Sequence, residues 1–253
     1  MNIIIQKGKR LKNRMRKSIL IGGGNIGKGK TEYETYEIDK EVVKLTNKKN
    51  PVFLFIGIAS AHSDSYYKCI KKHYQNLGCT TTYLKKSNII NNPDIVKQKI
   101  LSSDIIYIGG GDSIKLISEI KEYHIDKLLN EAHEKGCVLV GISAGAILLS
   151  KKGFSDSYIN RGESNHYKFI AGLNLVNISI CPHYNKEKIK NEELKEYLKH
   201  DNSIVYGIEN NTAIKIIDNN ATIIKSKQEK NVYECKFNKN YEEKIIKTSF
   251  SIK

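Results

Sequence analysis

Short apolar runs alternate with longer amphipathic segments in the first part of the chain. The longer segments repeat their apolar residues at helical spacing, whereas the short runs are apolar at nearly every position. Runs that are apolar on both faces and separated by helices are typical of a parallel sheet covered on both sides. The pattern predicts an α/β fold with three layers, α/β/α, around a mainly parallel central sheet. The predicted strands are residues 18–21, 51–58, 80–84, 104–108 and 137–142, and the predicted helices are residues 65–77, 93–101, 113–135 (with a break near 123–124) and a helix beginning at 144–149.

The pattern changes after Gly153, where short runs of strand type follow one another more closely. Asp218-Asn219-Asn220 is typical of a tight turn between two of them. We therefore expect a small antiparallel addition near the C-terminal end. No repeat or Pro-rich linker divides the chain, so residues 1–253 are expected to form a single domain, with residues 1–17 as a basic N-terminal extension. The predicted elements of this part are strands 175–181, 204–208, 213–217 and 221–225 and a helix at 186–199.

The formal net charge of +15 raises the question of nucleic-acid binding. The lysines are scattered along the chain, however, and a nucleic-acid site is marked by a basic patch or stripe. Only four residues are arginine, the residue type that carries most bidentate phosphate and base recognition. We therefore expect no nucleic-acid partner, and instead a positive field that attracts acidic substrates.

Cysteine usage and apolar run lengths bear on the compartment. The chain has five cysteines, an odd number, and no C-x-x-C pair. This usage favours a reducing compartment and indicates neither a disulfide framework nor a metal site. The longest apolar stretch, residues 137–149, is too short to span a bilayer, and the basic leader lacks the apolar segment of a signal peptide. We expect a cytoplasmic protein without a membrane partner.

One pentapeptide gives the strongest chemical signal. Gly141-Ile142-Ser143-Ala144-Gly145 matches G-x-S-x-G between a predicted buried strand and a predicted helix, which is the context of a nucleophile elbow. A tight turn there lifts the serine hydroxyl out of the sheet, and the following helix offers unpaired N–H groups and the positive end of its dipole. The alternative interpretation is a turn of small residues needed only for close packing of strand and helix.

A serine nucleophile needs a base, and the oxyanion that it creates needs main-chain donors. Among seven histidines, His183 is the best candidate for the base because it follows a predicted strand end, although two others also lie in loops. The donors are expected to be the N–H of Ala144 and one from the glycine run 109–111. A phosphate-binding loop is the alternative for that run and for residues 22–27, but neither follows G-x-G-x-x-G well.

Three segments occur in a fixed order along the chain: residues 108–113 (IGGGDS), 141–146 (GISAGA) and 181–184 (CPHY). Together they resemble the peptidase E family, serine peptidase family S51, and the likeness extends over residues 19–217. The resemblance implies a fold similar to the class I glutamine amidotransferases, with serine where they carry cysteine. It also implies that Ser143 is the nucleophile and His183 the base, and that the oxyanion donors are Gly111 and Ala144.

The resemblance further implies an acidic third member shortly after the nucleophile helix. Asp156 is the closest match and Glu163 the second choice, although Asp156 could instead serve as a turn or cap residue. The aspartyl dipeptidases of the family carry an arginine after the base, and residues 185–190 contain none here. Arg161, the one arginine beyond the leader, is therefore the candidate for binding a substrate carboxylate.

These features predict a serine peptidase that cleaves short, acidic or Asp-containing peptides through an acyl-enzyme, without a metal or organic cofactor. The expected partner is the small peptide substrate, and a homodimer is left open. Two alternatives remain. One is an esterase of the α/β-hydrolase type, in which the histidine normally lies nearer the C-terminus. The other is a catalytically silent binding module on the same scaffold.

Overall fold

Strands and helices alternate along the folded chain. The computed structural model describes residues 15–27 and 31–252, so residues 1–14 of the predicted basic extension lie outside the described residues. The strands are β1 (Lys17–Ile21), β2 (Val52–Ile56), β3 (Thr80–Leu84), β4 (Ile105–Ile108), β5 (Val138–Ile142), β6 (Ser150–Ser155), β7 (Lys168–Ala171), β8 (Val176–Pro182), β9 (Val205–Ile208), β10 (Thr212–Ile217), β11 (Asn220–Lys225), β12 (Val232–Phe237), β13 (Tyr241–Ile245) and β14 (Ser249–Ser251). The helices are α1 (Tyr36–Leu45), α2 (Ser63–Asn76), α3 (Lys86–Asn91), α4 (Pro93–Leu101), α5 (Ser113–Glu122), α6 (Ile125–Glu134), α7 (Ala144–Leu149), α8 (Ser157–Asn160) and α9 (Lys188–Leu198).

The apolar runs of the first part form the parallel centre of the larger sheet. Within the described ranges this sheet has eight strands, in the order β14-β11-β10-β1-β5-β4-β2-β3. The strands from β1 to β3 in that order are parallel, while β10, β11 and β14 add antiparallel pairs. The register pairs Ile21 with Ile142, so the chain leaves β1 and β5 side by side. The predicted mainly parallel sheet is confirmed.

Helices cover both faces of this sheet. Successive residues of a strand point to opposite faces. Leu54 accordingly joins the apolar cluster that includes α4 to α7, whereas Phe53 and Phe55 join the cluster that includes α1 and α2. All three side chains are fully buried, and burial of such a side chain contributes about 1.5–3 kcal/mol. The predicted three-layer arrangement is therefore confirmed.

The long helical segment at 113–135 is divided as predicted. Helix α5 ends at Glu122, and His124 adopts the left-handed conformation, with φ of 55°, before α6 begins. Because of this break, the apolar faces of both helices pack into the same core, with Leu116 from α5 and Leu129 from α6. Among the described residues, no helix has the length and apolar character needed to cross a membrane.

The second sheet is larger than the small antiparallel addition expected from the sequence. In the described part of the chain it has six strands, in the order β13-β12-β9-β8-β6-β7, with β6, β8 and β9 parallel. Strand β6 (SKKGFS) escaped prediction because it has few apolar residues. It packs closely on α7, where a Cβ on Gly153 would come within 2.4 Å of Ile147. The three parallel strands bring further loops to the carboxyl edge of the larger sheet.

Candidate active site

Ser143 lies where β5 ends and α7 begins. Its backbone has φ of 54° and ψ of −112°, a sparsely populated conformation of the kind that clusters at active sites. Two main-chain hydrogen bonds hold the turn: the Ser143 N–H donates to Ile21 O (3.0 Å), and the Ile147 N–H donates to Ser143 O (3.0 Å). The half-buried side chain therefore stands at the carboxyl edge of the sheet, beside the end of β1.

The two glycines around Ser143 are required by packing. A Cβ on Gly141 would lie 2.3 Å from the backbone of Gly145, and a Cβ on Gly145 would lie 2.2 Å from the carbonyl oxygen of Ile108. No side chain fits at either position without a shift of the backbone. The packing interpretation of the pentapeptide thus holds for its glycines, and it is compatible with a catalytic serine between them.

His183 follows β8 of the second sheet and reaches Ser143 across the junction of the two sheets. Its Nε2 lies 2.7 Å from Ser143 Oγ. The His183 N–H donates to Gly22 O (3.0 Å), and the buried ammonium of Lys190 donates to the carbonyl oxygen of the preceding residue, Pro182 (2.7 Å). The structure therefore brings together the serine and the histidine that the sequence singled out.

The imidazole of His183 is neutral at pH 7. Burial is the main cause that lowers the pKa of His183 from 6.5 to about 4, and the charges of Lys190 and Lys186 act in the same direction. The hydrogen bond with Asn210 and the charge of Asp156 oppose this shift. A neutral ring has one nitrogen without a proton, so Nε2 can accept the hydrogen of the facing hydroxyl.

The hydrogen-bond partner of the second ring nitrogen is Asn210, not Asp156. The distance from His183 Nδ1 to Asn210 Oδ1 is 2.7 Å. Asp156 is exposed at the start of the short helix α8 and acts on His183 through its charge. This contact corrects the expectation that Asp156 orients His183 through a hydrogen bond, since Asn210 makes that bond. Strand β6 delivers Asp156 to the rim, whereas β9 delivers Asn210 directly behind the imidazole.

The glycine run at 22–24 makes room for the His183–Asn210 pair. A Cβ on Gly23 would lie 2.3 Å from Asn210 Oδ1 and 2.5 Å from His183 Nδ1. The carbonyl oxygen of Gly23 also accepts a hydrogen bond from the Asn211 N–H (2.9 Å). This close packing accounts for the glycines without a bound phosphate.

The two predicted oxyanion donors, Gly111 and Ala144, belong to segments next to Ser143. Ala144 is the first residue of α7, where N–H groups have no acceptor within the helix. Gly111 has φ of 141°, and a Cβ there would lie 2.3 Å from the carbonyl oxygen of Ala59. The preceding residue, Gly110, is so close that its Cβ would lie 3.4 Å from the Cβ of Ser143. The glycine loop after β4 and the start of α7 therefore border the same space.

Tyr66 of helix α2 contacts this glycine loop. Its hydroxyl oxygen accepts a long hydrogen bond (3.5 Å) from the Gly110 N–H. On the same side, the carbonyl oxygen of Ala59 accepts a hydrogen bond from the Asp112 N–H (3.2 Å). These two contacts hold the loop from the direction of β2, so we expect the Tyr66 hydroxyl to hold the peptide group between Gly109 and Gly110 and, through it, the position of Gly111.

Removal of that hydroxyl in Tyr66→Phe should lower kcat about 2- to 10-fold and leave KM unchanged. A hydrogen bond has a net value of about 0.5–1.5 kcal/mol, and this one holds the glycine loop that carries the predicted oxyanion donor Gly111, which would act mainly in the transition state. Steady-state kinetics on a cleaved peptide measure the effect. Tyr67→Phe is the matched control, since Tyr67 stacks on Tyr83 (4.7 Å) and its hydroxyl has no partner within the described ranges. Equal kcat values in the two variants would contradict this role.

Arg161 lies beside the oxyanion loop and is paired with two carboxylates. Its Nε donates to Glu163 Oε1 (2.6 Å), and its Nη1 donates to Asp112 Oδ2 (3.2 Å). Glu163, the second choice for the acidic third member, is thus an exposed partner of Arg161. Because Asp112 directly follows Gly111, Arg161 stands close to the site, and its role in binding a substrate carboxylate stays a prediction.

The sequence did not single out Asn210 or Tyr66 as site residues. Asn210 belongs to the polar run Glu209-Asn210-Asn211 after a predicted strand, and polar residues in such loops are a signal for a functional site. Tyr66 lies within the predicted helix at 65–77, and only the tertiary structure shows its hydroxyl beside Gly110. The position of Asn210 after its strand could have pointed to it, whereas Tyr66 carried no such signal.

A family of peptidases and several known peptidases match this chain in sequence. Residues 18–224 match Peptidase family S51. The chain is 30% identical to the uncharacterized peptidase YgaJ of Bacillus subtilis over 176 residues, which cover 69% of this chain and 71% of YgaJ. It is 28% identical to peptidase E of Shewanella denitrificans over 161 residues, which cover 62% of this chain and 63% of that protein.

A solved structure has the same fold. The crystal structure of a peptidase from an acI-B1 Actinobacterium aligns with a TM-score of 0.71 over 95% of this chain and 98% of that chain, at 22% sequence identity. This likeness supports the fold, while the family match spans most of the sequence. Since that match runs from β1 into β11 and takes in Ser143, His183 and Asn210, the chain belongs to peptidase family S51, a family of serine-type peptidases.

Proposed function

We propose that this peptidase cleaves short peptides through an acyl-enzyme formed on Ser143. The observation that carries the proposal is the 2.7 Å contact between Ser143 Oγ and Nε2 of a neutral His183. A neutral imidazole can take the hydroxyl proton while the oxygen attacks the peptide carbonyl. The N–H groups of Gly111 and Ala144 border the same space and supply the donors for the negative charge that forms on the carbonyl oxygen.

The same base serves both halves of the reaction. After the attack, the imidazolium of His183 gives its proton to the leaving amine, and the C–N bond breaks to leave an ester on Ser143. A water molecule then loses a proton to Nε2 and attacks this ester. The new acid leaves, and the proton returns to Ser143 Oγ. Both steps pass through an oxyanion at the same place, so one pair of main-chain donors serves both.

The charge around the base favours substrates that carry carboxylates. Lys186 and Lys190 both lower the pKa of His183, so their positive charges reach the imidazole. Arg161 stands on the other side, next to the oxyanion loop, although two carboxylates already pair with it. Together with the net charge of +15, these positions support short acidic peptides, Asp-containing dipeptides among them, over basic ones.

A fluorophosphonate probe applied to the folded full-length protein tests the nucleophile. The probe reacts with activated serine hydroxyls, so we expect one adduct, located at Ser143 by peptide mass spectrometry. Labelling should be lost in His183→Gln, because the hydroxyl then has no base. If the probe does not label Ser143 in folded protein, the result contradicts the proposal and supports the alternative of a catalytically silent binding module.

A library of dipeptides and tripeptides tests the substrate class. We expect acidic members to be cleaved faster than neutral ones, and basic members to be cleaved slowest, because of the lysines near His183. Simple acyl esters serve as the comparison. Hydrolysis of these esters with no cleavage of any peptide would favour the esterase alternative and contradict the peptidase mechanism.

A further inference from the structure

Helix α9 carries a lysine in its apolar stripe. Its buried residues are Lys190, Leu194 and Leu198, which recur at the spacing of one helix face. The two leucines pack in an apolar cluster with Phe154 and Tyr184, and Lys190 itself is only 5% exposed. Within the described ranges, no carboxylate pairs with its ammonium. Because lysine is almost never buried without a counter-ion, packing alone does not account for this residue.

The ammonium of Lys190 binds the peptide group that precedes the base. Its Nζ donates to the carbonyl oxygen of Pro182 (2.7 Å) and lies 5.3 Å from the centroid of the Tyr167 ring. The N–H of the same peptide group belongs to His183 and donates to Gly22 O (3.0 Å). Both polar ends of this peptide group are thus held, one by α9 and the other by the chain that leaves β1.

The backbone of His183 is in a conformation that needs such a restraint. Its φ is 54°, in the left-handed region that residues other than glycine seldom adopt. Strained conformations of this kind persist where the surrounding structure fixes them. In this conformation Nε2 stands 2.7 Å from Ser143 Oγ, so a rotation of the backbone at residue 183 would carry the imidazole away from the serine.

We propose that Lys190 is a positioning residue of the base: its ammonium holds the Pro182–His183 peptide group, and its buried charge opposes protonation of the imidazole. Lys190 has no contact with the substrate in this role. It acts through His183, and the inference therefore rests on the proposed function in one respect, namely that His183 is the base.

The charge of Lys190 acts on the imidazole from inside the protein. A positive neighbour disfavours the imidazolium, and solvent screens a buried charge less than an exposed one. After burial itself, Lys190 is the largest cause that lowers the pKa of His183 to about 4. We therefore expect the acid limb of wild-type kcat/KM to lie below pH 6.

Other titratable groups around Lys190 and the imidazole do not replace this charge. Lys186 and Asp156 also act on His183, but both are exposed and their effects oppose each other. The groups next to Lys190 on the neighbouring elements are the thiol of Cys181 on β8 and the hydroxyl of Tyr167, which donates to Glu187. Lys190 is therefore the buried cation whose removal tests the inference.

Lys190→Met removes the charge and the hydrogen bond and leaves an unbranched side chain that suits an apolar stripe. We expect the plateau of kcat/KM to fall about 10- to 100-fold, since a displacement of about 1 Å in a catalytic group costs about 10²-fold. The acid limb should move up by at least about 0.5 pH units, because the imidazolium is no longer repelled. Rates against pH on one cleaved dipeptide measure both effects, and thermal unfolding shows that the variant is folded. Either a wild-type plateau or an unmoved acid limb would overturn the proposal.

Lys190→Gln separates the hydrogen bond from the charge. The amide keeps N–H donors for the carbonyl oxygen of Pro182 but carries no charge. We expect its acid limb to move up as in Lys190→Met, and its plateau to lie above that of the methionine variant. An acid limb at the wild-type position would overturn the role of the charge. A plateau no higher than that of Lys190→Met would overturn the role of the hydrogen bond.

Lys188→Met is the matched control for loss of a positive charge from α9. The Lys188 side chain is 91% exposed, and its ammonium lies 3.6 Å from the carboxylate of Glu192. We expect a wild-type plateau and an acid limb that moves by less than about 0.3 pH units, because exposed charges in water interact weakly. Equal shifts in Lys188→Met and Lys190→Met would overturn a specific role for the buried ammonium.

An NMR titration separates this inference from the proposed function. The Cε1–H signal of His183 is followed with pH in full-length Ser143→Ala, with and without Lys190→Met, so no turnover is needed. We expect loss of the ammonium to raise the pKa of His183 by at least about 0.5 units. An unchanged pKa would overturn the inference. If wild-type protein cleaves no peptide while this pKa does rise, the proposed function fails and the coupling of Lys190 to His183 stands.

Discussion

Alanine in place of Ser143 should reduce kcat for peptide cleavage by about 10⁴- to 10⁶-fold, the range set by removal of the nucleophile in other serine peptidases. The change deletes the one oxygen that His183 Nε2 contacts at 2.7 Å. The residual rate comes from the oxyanion donors and from substrate binding. Initial rates against active-site-titrated wild-type enzyme give the ratio.

The fold should survive this substitution. The hydroxyl of Ser143 bonds to His183, while the turn itself is held by main-chain bonds that alanine retains. Ser150→Ala is the matched control, since it removes a hydroxyl at the other end of α7, where Ser150 Oγ donates to Ile147 O (2.9 Å). That variant should lose about 1 kcal/mol of unfolding free energy and keep its activity. Undiminished cleavage by Ser143→Ala would refute the assignment.

Gly23→Ala should lower kcat/KM by about 10²-fold or more, although residue 23 need not contact the substrate. The added methyl would stand 2.3 Å from Asn210 Oδ1 and 2.4 Å from His183 Cε1. Either the His183–Asn210 bond breaks or the loop moves, and a displacement of about 1 Å in a catalytic group costs about 10²-fold. Kinetics combined with thermal unfolding distinguish this local effect from loss of the fold.

Gly162→Ala controls for the cost of a side chain at positive φ. Gly162 has φ of 71°, and no atom lies within 4 Å of the Cβ that the change adds. We expect a loss of about 1–2 kcal/mol of stability and wild-type kcat/KM. If Gly23→Ala also keeps wild-type activity, the close packing of the glycine run on the His183–Asn210 pair has no catalytic role.

Local patterns predicted the part of the site that is local in sequence. The run from β5 through Ser143 into α7 is continuous, and its apolar strand, small residues and helix formers lie within one short segment. The glycine loop after β4 was recognised in the same way. Neighbouring residue types predict the geometry of such a segment, because a turn between a strand and a helix admits few conformations.

The pairing behind the base could not be predicted from such patterns. His183 and Asn210 lie 27 residues apart, just after the parallel strands β8 and β9 of the second sheet, and their contact depends on where that sheet meets the first. Asp156 was chosen by its order in the chain after the nucleophile helix, and order does not determine distance. The extent of the second sheet was missed for a related reason, since β6 is too polar to show a strand pattern.

The pairing of β10 with β1 has a consequence for biosynthesis. Strand β1 belongs to the earliest described part of the chain, yet its antiparallel neighbour is completed only at Ile217, and Asn210 precedes that strand by two residues. During translation the serine and the imidazole thus emerge well before the amide that orients them. A growing polypeptide on the ribosome therefore has no assembled proteolytic centre until Asn210 and β10 have been synthesised.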